Sequence, residues 1–526
     1  MSIPVIDLFA GPGGLGEGFS SILDNDGDRV FDIKLSIEKD ANAHKTLELR
    51  SFVRQFPVNE IPPEYYEYVK NYNYKTDKED RAKLFDQFPE KAKDAQKEAW
   101  CCELGNEKDF PQKKIDKRIS EGLQGERNWL LIGGPPCQAY SLVGRARRGG
   151  IFEKDPRVYL YREYLRIIAK HQPSVFVMEN VKGLLSAKLD GTNIFQMILN
   201  DLKNPSVLFP NSKSPKYKVF SLVTPVDKFD DEGNPEYKMD RDFLIQSEKY
   251  GIPQKRHRVI LLGIREDVDY QNFQPLVKET AVCLKDVVGD LPKIRSGVGR
   301  RISGAKPNGK NTYKKINDNW ENWLGVFRKY LVKLKLELNV DENISEPNQE
   351  MTQGENYMKK RKTKFNGLIQ SWYNDPKLKG VLNHETRKHL EEDLGRYLFS
   401  SLYLKEKGEF PRLKDYPEWL LPNHKSAREV GKFADRFRTQ KPDIPATTIT
   451  SHISKDGHYF IHYDPQQCRS LTVREAARVQ TFPDNYFFCG SRTHQFHQVG
   501  NAVPPLLARK IAESIIELYE ANERRA

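Results

Sequence analysis

The chain has 526 residues, enough for two to four domains with sizeable cores, and a formal net charge of +12. This excess of Lys and Arg favours an acidic partner, most often nucleic acid; a soluble protein that is simply basic is the alternative. Six cysteines without C-x-x-C spacing, and apolar runs well short of about 18 residues, argue against a disulfide scaffold, a zinc finger and a membrane span. The expected setting is a reducing cytoplasm.

Strands and helices alternate in the amino-terminal half. IPVIDLFAGPGGLGEGF predicts a buried strand, a glycine turn and a helix start, and FDIKLSIEKD predicts a second strand. Residues 59–118 are charged and aromatic and predict a helical insertion on the surface. The later predicted elements are the strand NWLLIGG, the helix YLYREYLRIIAKHQ and the strands PSVFVMEN, YKVFSLVT and RVILLGI. This alternation predicts an α/β fold with a doubly wound parallel sheet.

The composition changes near Pro292. From there to about Asp464, glycine and basic residues dominate and the alternation is lost, which predicts a first domain over 1–292 and a second over 293–464. Regular helix returns near the end, in SLTVREAARVQTFPD and HQVGNAVPPLLARKIAESIIELYE, where apolar residues repeat at helical spacing.

The glycine turn, DLFAGPGGLGEGF, follows a strand directly, and such turns let the backbone approach a ligand at the carboxyl end of a sheet. The next strand ends at Glu38, where a carboxylate can accept hydrogen bonds from ribose hydroxyls. Together they indicate an adenosine-containing cofactor, either a dinucleotide or S-adenosylmethionine. The alternative for Glu38 is a solvated carboxylate at a strand end.

Cys137 lies in GGPPCQAYS, where Pro135 and Pro136 stiffen the backbone at the carboxyl end of a predicted strand. A buried, inert thiol is the usual fate of a cysteine. Two further segments argue for chemistry, since the next strand ends in ENV, with Glu179, and QKRHR precedes a later one. Adjacent strands would bring a thiol, a carboxyl and two arginines to one cavity.

Such a set suits attack on a pyrimidine ring. A thiolate can add to C6 of cytosine if a carboxyl group bonds to N3 and arginine bonds to O2. The addition makes C5 nucleophilic, so that it can take a methyl group from a sulfonium donor. Loss of the C5 proton and of the thiolate then restores the ring. The base has to leave the helix stack for this chemistry.

The chain resembles the cytosine-C5 DNA methyltransferases. The matching blocks, in the order of that family, are DLFAGPGGLGEGF, GGPPCQAYS, MENV, YGIPQKRHRVILLG, RSLTVREAARVQTFPD and QVGNAVPP. The resemblance implies a Rossmann-like S-adenosylmethionine-dependent methyltransferase sheet with a second, smaller target-recognition domain for DNA. It also implies that Cys137 is the nucleophile, that Glu179 bonds to N3, and that Arg256 and Arg258 orient the cytosine, with Gln254 structural.

The resemblance also implies a site for S-adenosylmethionine, which would leave as S-adenosylhomocysteine, and no metal. Its implied residues are Phe9, Gly11, Gly13, Gly14, Glu38, Pro135, Leu160 and Asn501. Phe9 would lie against the adenine, and Asn501 would close the pocket, so that 465–526 completes the catalytic domain. The contact to the adenine amine stays unassigned, because Glu103, Asn106 and Asp109 in CCELGNEKDF all compete for it.

The predicted DNA contacts follow the nucleophile. They are Gln138, Ser141, Arg145 and Arg147, in a stretch whose glycines would hinge a lid; a solvated basic loop is the alternative. The basic and aromatic stretch 293–464 is expected to contact phosphates and bases. His384 and His389, with Glu391 nearby, are interpreted as a solvated helix face rather than a metal site.

The sequence therefore predicts a DNA (cytosine-5)-methyltransferase acting on double-stranded DNA in the bacterial cytoplasm. The glycine turn begins at Asp7 with no regulatory module before it, which favours a prokaryotic modification enzyme with a cognate restriction nuclease. The alternatives are a tRNA cytosine-C5 methyltransferase of the same fold and a catalytically inactive DNA-binding relative. A nicotinamide oxidoreductase would share the glycine turn but has no use for PPCQ together with ENV.

Overall fold

The chain forms two compact units in the computed structural model. The first comprises Met1–Tyr65, Thr76–Ala281 and Ala502–Ala526, and the second comprises Tyr66–Lys75 and Val282–Asn501. The structure describes residues 2–136, 160–189, 191–271, 273–306, 310–338, 345–347, 349–359, 369–422 and 435–523.

Strands β1 to β13 precede Ala281 and β14 to β19 follow it. They are β1 (Ile3–Leu8), β2 (Phe31–Glu38), β3 (Ala99–Cys101), β4 (Leu130–Gly133), β5 (Val175–Val181), β6 (Lys188–Leu189), β7 (Thr192–Asn193), β8 (Tyr217–Ser221), β9 (Lys228–Phe229), β10 (Pro235–Glu236), β11 (Leu244–Gln246), β12 (Gln254–Lys255), β13 (His257–Arg265), β14 (Gly297–Ala305), β15 (Asn311–Lys315), β16 (Gly354–Lys359), β17 (Gly380–Glu385), β18 (Lys388–Leu390) and β19 (Ala446–Thr447).

The α-helices of the described residues are numbered in the same way. They are α1 (Gly14–Phe19), α2 (Ala41–Arg54), α3 (Pro63–Lys70), α4 (Asp77–Asp86), α5 (Pro89–Glu98), α6 (Gln112–Leu123), α7 (Leu160–His171), α8 (Ile194–Lys203), α9 (Leu284–Val288), α10 (Trp320–Leu338), α11 (Gln370–Tyr373), α12 (Glu391–Lys407), α13 (Val473–Val479), α14 (Arg492–Asn501) and α15 (Pro505–Glu523).

An eight-stranded sheet forms the centre of the first unit. Strands β3, β2, β1, β4 and β5 lie side by side in that order, and all are parallel. Every residue of β1 is buried, as expected for a strand covered on both faces. Strand β13 lies beside β5 but runs antiparallel to it, and both β8 and β11 pair with its other edge.

Two apolar clusters cover the two faces of this sheet. One face packs against α6, α7 and α8, with Ile6 of β1 and Leu165 of α7 in the same buried cluster. The other packs against α1 and α15, with Val5 of β1 and Ile511 of α15 together. Neighbouring residues of β1 thus serve opposite faces, which makes the first unit a three-layer α/β structure.

The second unit has smaller sheets and its own core. Strands β15, β14 and β18 form one sheet, and β16 pairs with β17 in a hairpin. Helices α10 and α12 share one buried cluster, in which Trp323 of α10 and Tyr397 of α12 are fully buried.

The structure corrects two predictions about the sheet. Residues 59–118 contain α3, α4, α5 and the start of α6, but they also contain β3, which pairs in parallel with β2 and extends the central sheet, so they are more than an insertion. The strand RVILLGI lies in β13 and is antiparallel rather than parallel. Residues 222–256 contain no α-helix, and without a crossover helix the natural neighbour of a returning strand is antiparallel.

The division into units also differs from the predicted domains. The first boundary lies at 281/282 instead of 292/293, and 465–501, predicted to complete the first domain, groups with the second unit. Buried arginines are the physical reason, because Arg469, Arg474 and Arg478 donate to the carbonyls of Ile294, Leu382 and Val287. Only 502–526 joins the first unit from the carboxyl-terminal part.

Candidate active site

The glycine turn after β1 has an unusual backbone. Phe9, Gly11 and Gly13 have φ values of 58°, 59° and 96°. Glycine adopts such values at little cost, but Phe9 does not, and a left-handed non-glycine residue is often found at a functional site. A methyl group placed on Gly11 would meet no atom within 4 Å. The turn therefore leaves space in front of Gly11 for a ligand.

Glu38 joins the end of β2 to this turn. One oxygen of its carboxylate accepts the N–H of Gly11 at 2.8 Å, and the other accepts the N–H of Asp40 at 2.7 Å. Burial raises the pKa of Glu38, and these two hydrogen bonds act against the rise. The carboxylate is thus fixed at the carboxyl edge of the sheet, and the alternative of a freely solvated strand end is wrong.

The glycines of the turn face different parts of the structure. Gly14, predicted to contact the cofactor, faces the carboxyl-terminal segment, since a methyl group there would lie 2.3 Å from the carbonyl oxygen of Val503. A methyl group on Gly16 would lie 3.4 Å from Oδ2 of Asp7. Asp7 is fully buried, and burial raises its pKa to about 8, against the influence of Arg54. At neutral pH this carboxyl under the turn is therefore mainly protonated.

Leu160 lies beside residues 101–110, the segment that contains the three candidates for the adenine contact. That segment follows β3, and a methyl group on Gly105 would lie 3.6 Å from Cδ2 of Leu160. Glu103 pairs with Lys39 at 3.2 Å, and the amide of Asn106 donates to Asp109 at 3.0 Å. Leu160, at the start of α7, thus lies next to the segment that follows β3, and the adenine contact stays unassigned.

Glu179 lies inside β5, next to the end of β4. A methyl group on Gly134, the residue after β4, would lie 2.9 Å from Oε2 of Glu179. Pro135 is buried, and Pro136 is the last described residue before Cys137. The predicted residues Cys137, Gln138, Ser141, Arg145 and Arg147 lie outside the described residues. The strand that leads to the predicted nucleophile therefore ends against the Glu179 carboxylate.

Arg258, in β13, contacts Glu179, and Arg256 lies just before that strand. The antiparallel register places Arg258 opposite Val181 and Ile260 opposite Glu179, and Nε of Arg258 lies 2.7 Å from Oε1 of Glu179. Arg256 is fully buried, and burial lowers its pKa far below the usual value; Arg258 acts in the same direction and Glu179 opposes it. Glu179 and Arg258 thus lie side by side at this edge of the sheet, and the roles assigned to them and to Arg256 stay predictions.

The backbone around Arg256 is held from a neighbouring turn. The hydroxyl of Ser247 donates to the Arg256 carbonyl at 2.5 Å, and Nε2 of His257 lies 2.9 Å from Oε1 of Glu248. Gln254 is fully buried. These contacts fix the backbone from which both arginines extend, and the roles of Ser247 and Glu248 could not be predicted from the sequence.

Asn501, His384 and His389 all lie in the second unit. Asn501 is exposed at the end of α14, with its amide nitrogen 3.3 Å from Nδ1 of His497. His384 and His389 lie in β17 and β18, not on a helix, and both are buried. Nδ1 of His384 faces the Thr472 hydroxyl and Nε2 faces the Pro292 carbonyl, each at 2.9 Å. The interpretation of a solvated helix face is therefore wrong.

The block RSLTVREAARVQTFPD forms a buried ionic network that sequence reasoning did not assign. Arg469 pairs with both oxygens of Glu475 at 2.6 and 2.7 Å, and Arg478 pairs with Asp484 at 2.7 Å. Burial opposes ionisation of Glu475, but Arg469 prevails and holds its pKa far below the usual range. Four charged residues within ten positions of an otherwise apolar helical segment were the available signal.

Comparison with known proteins decides the family. The sequence model described as C-5 cytosine-specific DNA methylase matches residues 90–205 and 216–517. The chain belongs to this family. The type II methyltransferase M.Bpa9945I of Bacillus paralicheniformis is 32% identical over 98% of this chain and 99% of its own length.

Two other relatives are more distant. The DNA (cytosine-5-)-methyltransferase M.ApeKI of Aeropyrum pernix is 28% identical over 76% of this chain and 83% of its own. The type II methyltransferase M.DdeI of Desulfomicrobium norvegicum is 26% identical over 74% of this chain and 73% of its own length. This chain is accordingly a DNA (cytosine-5-)-methyltransferase, a family that uses S-adenosylmethionine and acts on DNA.

The residues of the glycine turn fit the cofactor of this family. The open space at Gly11 admits a ligand next to the backbone, and the Glu38 carboxylate keeps lone pairs for hydroxyl donors beside it. Phe9 is half-buried at the same turn and offers an aromatic face.

Among the helices in the described part of the chain, none is long and apolar enough to cross a lipid bilayer.

Proposed function

We propose that this methyltransferase modifies C5 of a flipped cytosine in a specific sequence of duplex DNA, through a covalent bond between Cys137 and C6. The observation that supports this best is the place of Glu179. Its carboxylate lies against Gly134, two residues before Pro136, and is paired with Arg258. A nucleophile three residues after Gly134 would thus follow a carboxyl and a guanidinium that suit N3 and O2 of cytosine.

The chain's own residues account for the polar steps. The Cys137 thiolate forms a bond to C6, and the displaced electron pair moves toward N3, where the Glu179 carboxyl supplies a proton. Arg258 and Arg256 stabilise negative charge on O2 while the ring is no longer aromatic. After methylation, C5 loses its proton to water and N3 returns its proton to the Glu179 carboxylate, while the S–C6 bond breaks and its electron pair leaves with sulfur as the thiolate.

The proposed cofactor residues are Phe9, Gly11, Gly13, Gly14, Glu38, Pro135, Leu160 and Asn501. When bound, S-adenosylmethionine supplies the methyl group as an activated electrophile. Glu38 accepts hydrogen bonds from the ribose, and Phe9 packs against the adenine. The proposed reaction needs no metal ion.

The second unit reads the DNA sequence in this proposal, mainly through residues 293–464, while Gln138, Ser141, Arg145 and Arg147 contact DNA beside the flipped base. Relatives named type II methyltransferases support a role in protecting DNA from a cognate restriction nuclease. A DNA substrate of this kind places the enzyme in the bacterial cytoplasm.

A covalent trap tests the proposal. Bisulfite sequencing of DNA from a host that expresses the chain identifies the methylated sequence, and a duplex with 5-fluorocytosine at that position is then incubated with enzyme and S-adenosylmethionine. Fluorine cannot leave as a proton, so we expect a stable adduct that mass spectrometry locates on Cys137. Cys137→Ser should form none, whereas Cys101→Ser, which removes an exposed thiol elsewhere in the chain, should form it normally. An adduct on any other cysteine, or methylation of tRNA instead of DNA, contradicts the proposal.

A further inference from the structure

The hairpin of β14 and β15 is the most strongly charged segment that the proposed chemistry leaves unused. Residues 297–315 contain six Lys and Arg and no acidic residue. Arg300, Arg301, Lys306, Lys310, Lys314 and Lys315 are all exposed. For the residues that the structure describes, Arg300, Arg301, Lys314 and Lys315 form no ion pair with an acid. Within the described part of the chain, no acidic side chain therefore neutralises these four charges.

The register of the hairpin sets like charges directly opposite each other. Arg300 pairs with Lys315, and Arg301 pairs with Lys314. Successive cross-strand pairs point to opposite faces of a ribbon, so each face carries one doubly positive pair. Like charges at such positions destabilise a free hairpin. The arrangement costs stability in the free protein, and a bound polyanion would remove that cost.

The hairpin extends beyond the sheet at its base. Strand β18 pairs only with Gly297, Val298 and Arg300 of β14, so the part after Arg300 is two-stranded. The N–H of Ile302 donates to Oε1 of Glu392 at 2.9 Å, which fastens the ribbon to the first turn of α12. Tyr313 is 46% exposed, and the guanidinium of Arg300 lies 4.7 Å from its ring centroid.

We infer that this ribbon enters the major groove of the DNA edge-on, so that each face lies against one of the two phosphate chains. The major groove is about 12 Å wide and admits a two-stranded ribbon, whose thickness with side chains is about 10 Å. The minor groove, about 6 Å wide, does not. A ribbon lying flat on DNA would need cations on one face only, whereas this one has them on both. The inference rests on the proposed reading of duplex DNA by the second unit.

Two double variants test the two faces separately. Arg300→Gln with Lys315→Gln neutralises one face, and Arg301→Gln with Lys314→Gln neutralises the other. Affinity is measured against salt concentration, on a short duplex with the methylated sequence and on a scrambled duplex. We expect each double variant to lower the slope of log affinity against log salt by about 1.8, or about 0.9 for each of two phosphates, on both duplexes.

A matched control separates this contact from net charge. Lys405→Gln with Lys407→Gln removes two exposed cations from the same unit and should leave the slope unchanged. The variant Arg301→Gln with Lys314→Gln should also melt no lower than the wild type without DNA, because it loses a like-charge pair; a merely structural role would predict a lower melting temperature. A slope change on one face only overturns edge-on insertion, and no change on either face overturns the inference.

Chemical protection identifies the groove. Dimethyl sulfate methylates guanine N7 in the major groove and adenine N3 in the minor groove. We expect the wild type to protect N7 next to the target cytosine, and both ribbon variants to lose that protection. Protection of N3 instead would overturn the assignment to the major groove. If the wild type neither binds nor methylates duplex DNA, the proposed function itself is wrong. If the wild type methylates duplex DNA but both variants keep its salt dependence of affinity, only the inference about the ribbon is wrong.

Discussion

Gly134 shows how a residue without a side chain can position a proposed catalytic group, the Glu179 carboxylate. It follows β4, and the space that its Cβ would occupy is taken by Oε2 of Glu179. That carboxylate is the far end of a flexible side chain and also pairs with Arg258. A larger residue at 134 can therefore be accommodated if the Glu179 side chain moves. The carboxylate is then displaced, but the fold is kept.

Gly134→Ala should reduce kcat about 100-fold, because a displacement of about 1 Å at a catalytic group can cost that much. Its melting temperature should stay near that of the wild type. Gly122→Ala is the matched control, since its new methyl group would meet ordinary contacts of 3.5 Å or more, and its activity should be unchanged. Steady-state methylation assays and thermal melts measure both effects. A fully active Gly134→Ala enzyme would show that Glu179 need not lie where it does.

Some of these residue contacts could be read from the sequence and others could not. Glu179 and Arg258 were expected to meet, because both lie at ends of strands in one sheet. The bond from Gly11 to Glu38 was not expected, since it depends on the left-handed backbone of the turn. His384 was misjudged because its sequence spacing to His389 looks helical, whereas its burial comes from distant partners such as Thr472.

At the scale of elements, long apolar strands were predictable and short or reversed ones were not. Strand β3 has three residues, too few for a periodic pattern, and is recognised only by its pairing with β2. The direction of β13 is set by the connection that precedes it rather than by its own residues. The packing of α1 on α15 likewise depends on a long-range contact, at Gly18.

Gly18→Ala should destabilise the first unit by about 1–3 kcal/mol, as overpacking of a tight contact usually does. Its new methyl group would lie 2.2 Å from the carbonyl oxygen of Pro505 and 2.6 Å from the amide nitrogen of Arg509, and backbone atoms cannot move aside cheaply. Gly325→Ala in α10 meets nothing within 4 Å and should instead gain about 0.5–1 kcal/mol of helix stability. Denaturant unfolding of both variants tests the opposite signs; a neutral Gly18→Ala would refute the close packing.

At the scale of the whole molecule, the second unit is larger than its basic composition indicated. Its buried arginines reach from 469–478 back to carbonyls at 287, 294 and 382. Tyr66 of the short segment Tyr66–Lys75 also donates to Asp375 at 2.6 Å. Composition identifies the basic middle of this unit, but it carries no information about hydrogen bonds between distant residues. The boundaries predicted from composition are therefore narrower than those of the unit.

An exchange of the second unit with that of a relative that methylates another sequence should therefore follow the structural boundaries. A chimera that exchanges 66–75 and 282–501 should methylate the new sequence and melt near the parents. A chimera that exchanges only 293–464 should melt lower, because each buried arginine that loses an acceptor costs about 1–3 kcal/mol. Calorimetry and bisulfite sequencing measure the two results. Equal melting temperatures would mean that the narrower boundaries suffice.

The position of α15 in the chain has a consequence for synthesis on the ribosome. This helix supplies Leu507, Ile511 and Ile515 to one face of the central sheet, whose first strand is Ile3–Leu8. At about 5–20 residues per second, the nascent chain waits on the order of tens of seconds between making β1 and making its cover. A transcript cut short anywhere in the second unit yields a protein with that apolar face bare, a target for proteases. We therefore expect proteases to degrade such truncated chains faster than the full chain, in which α15 covers this face.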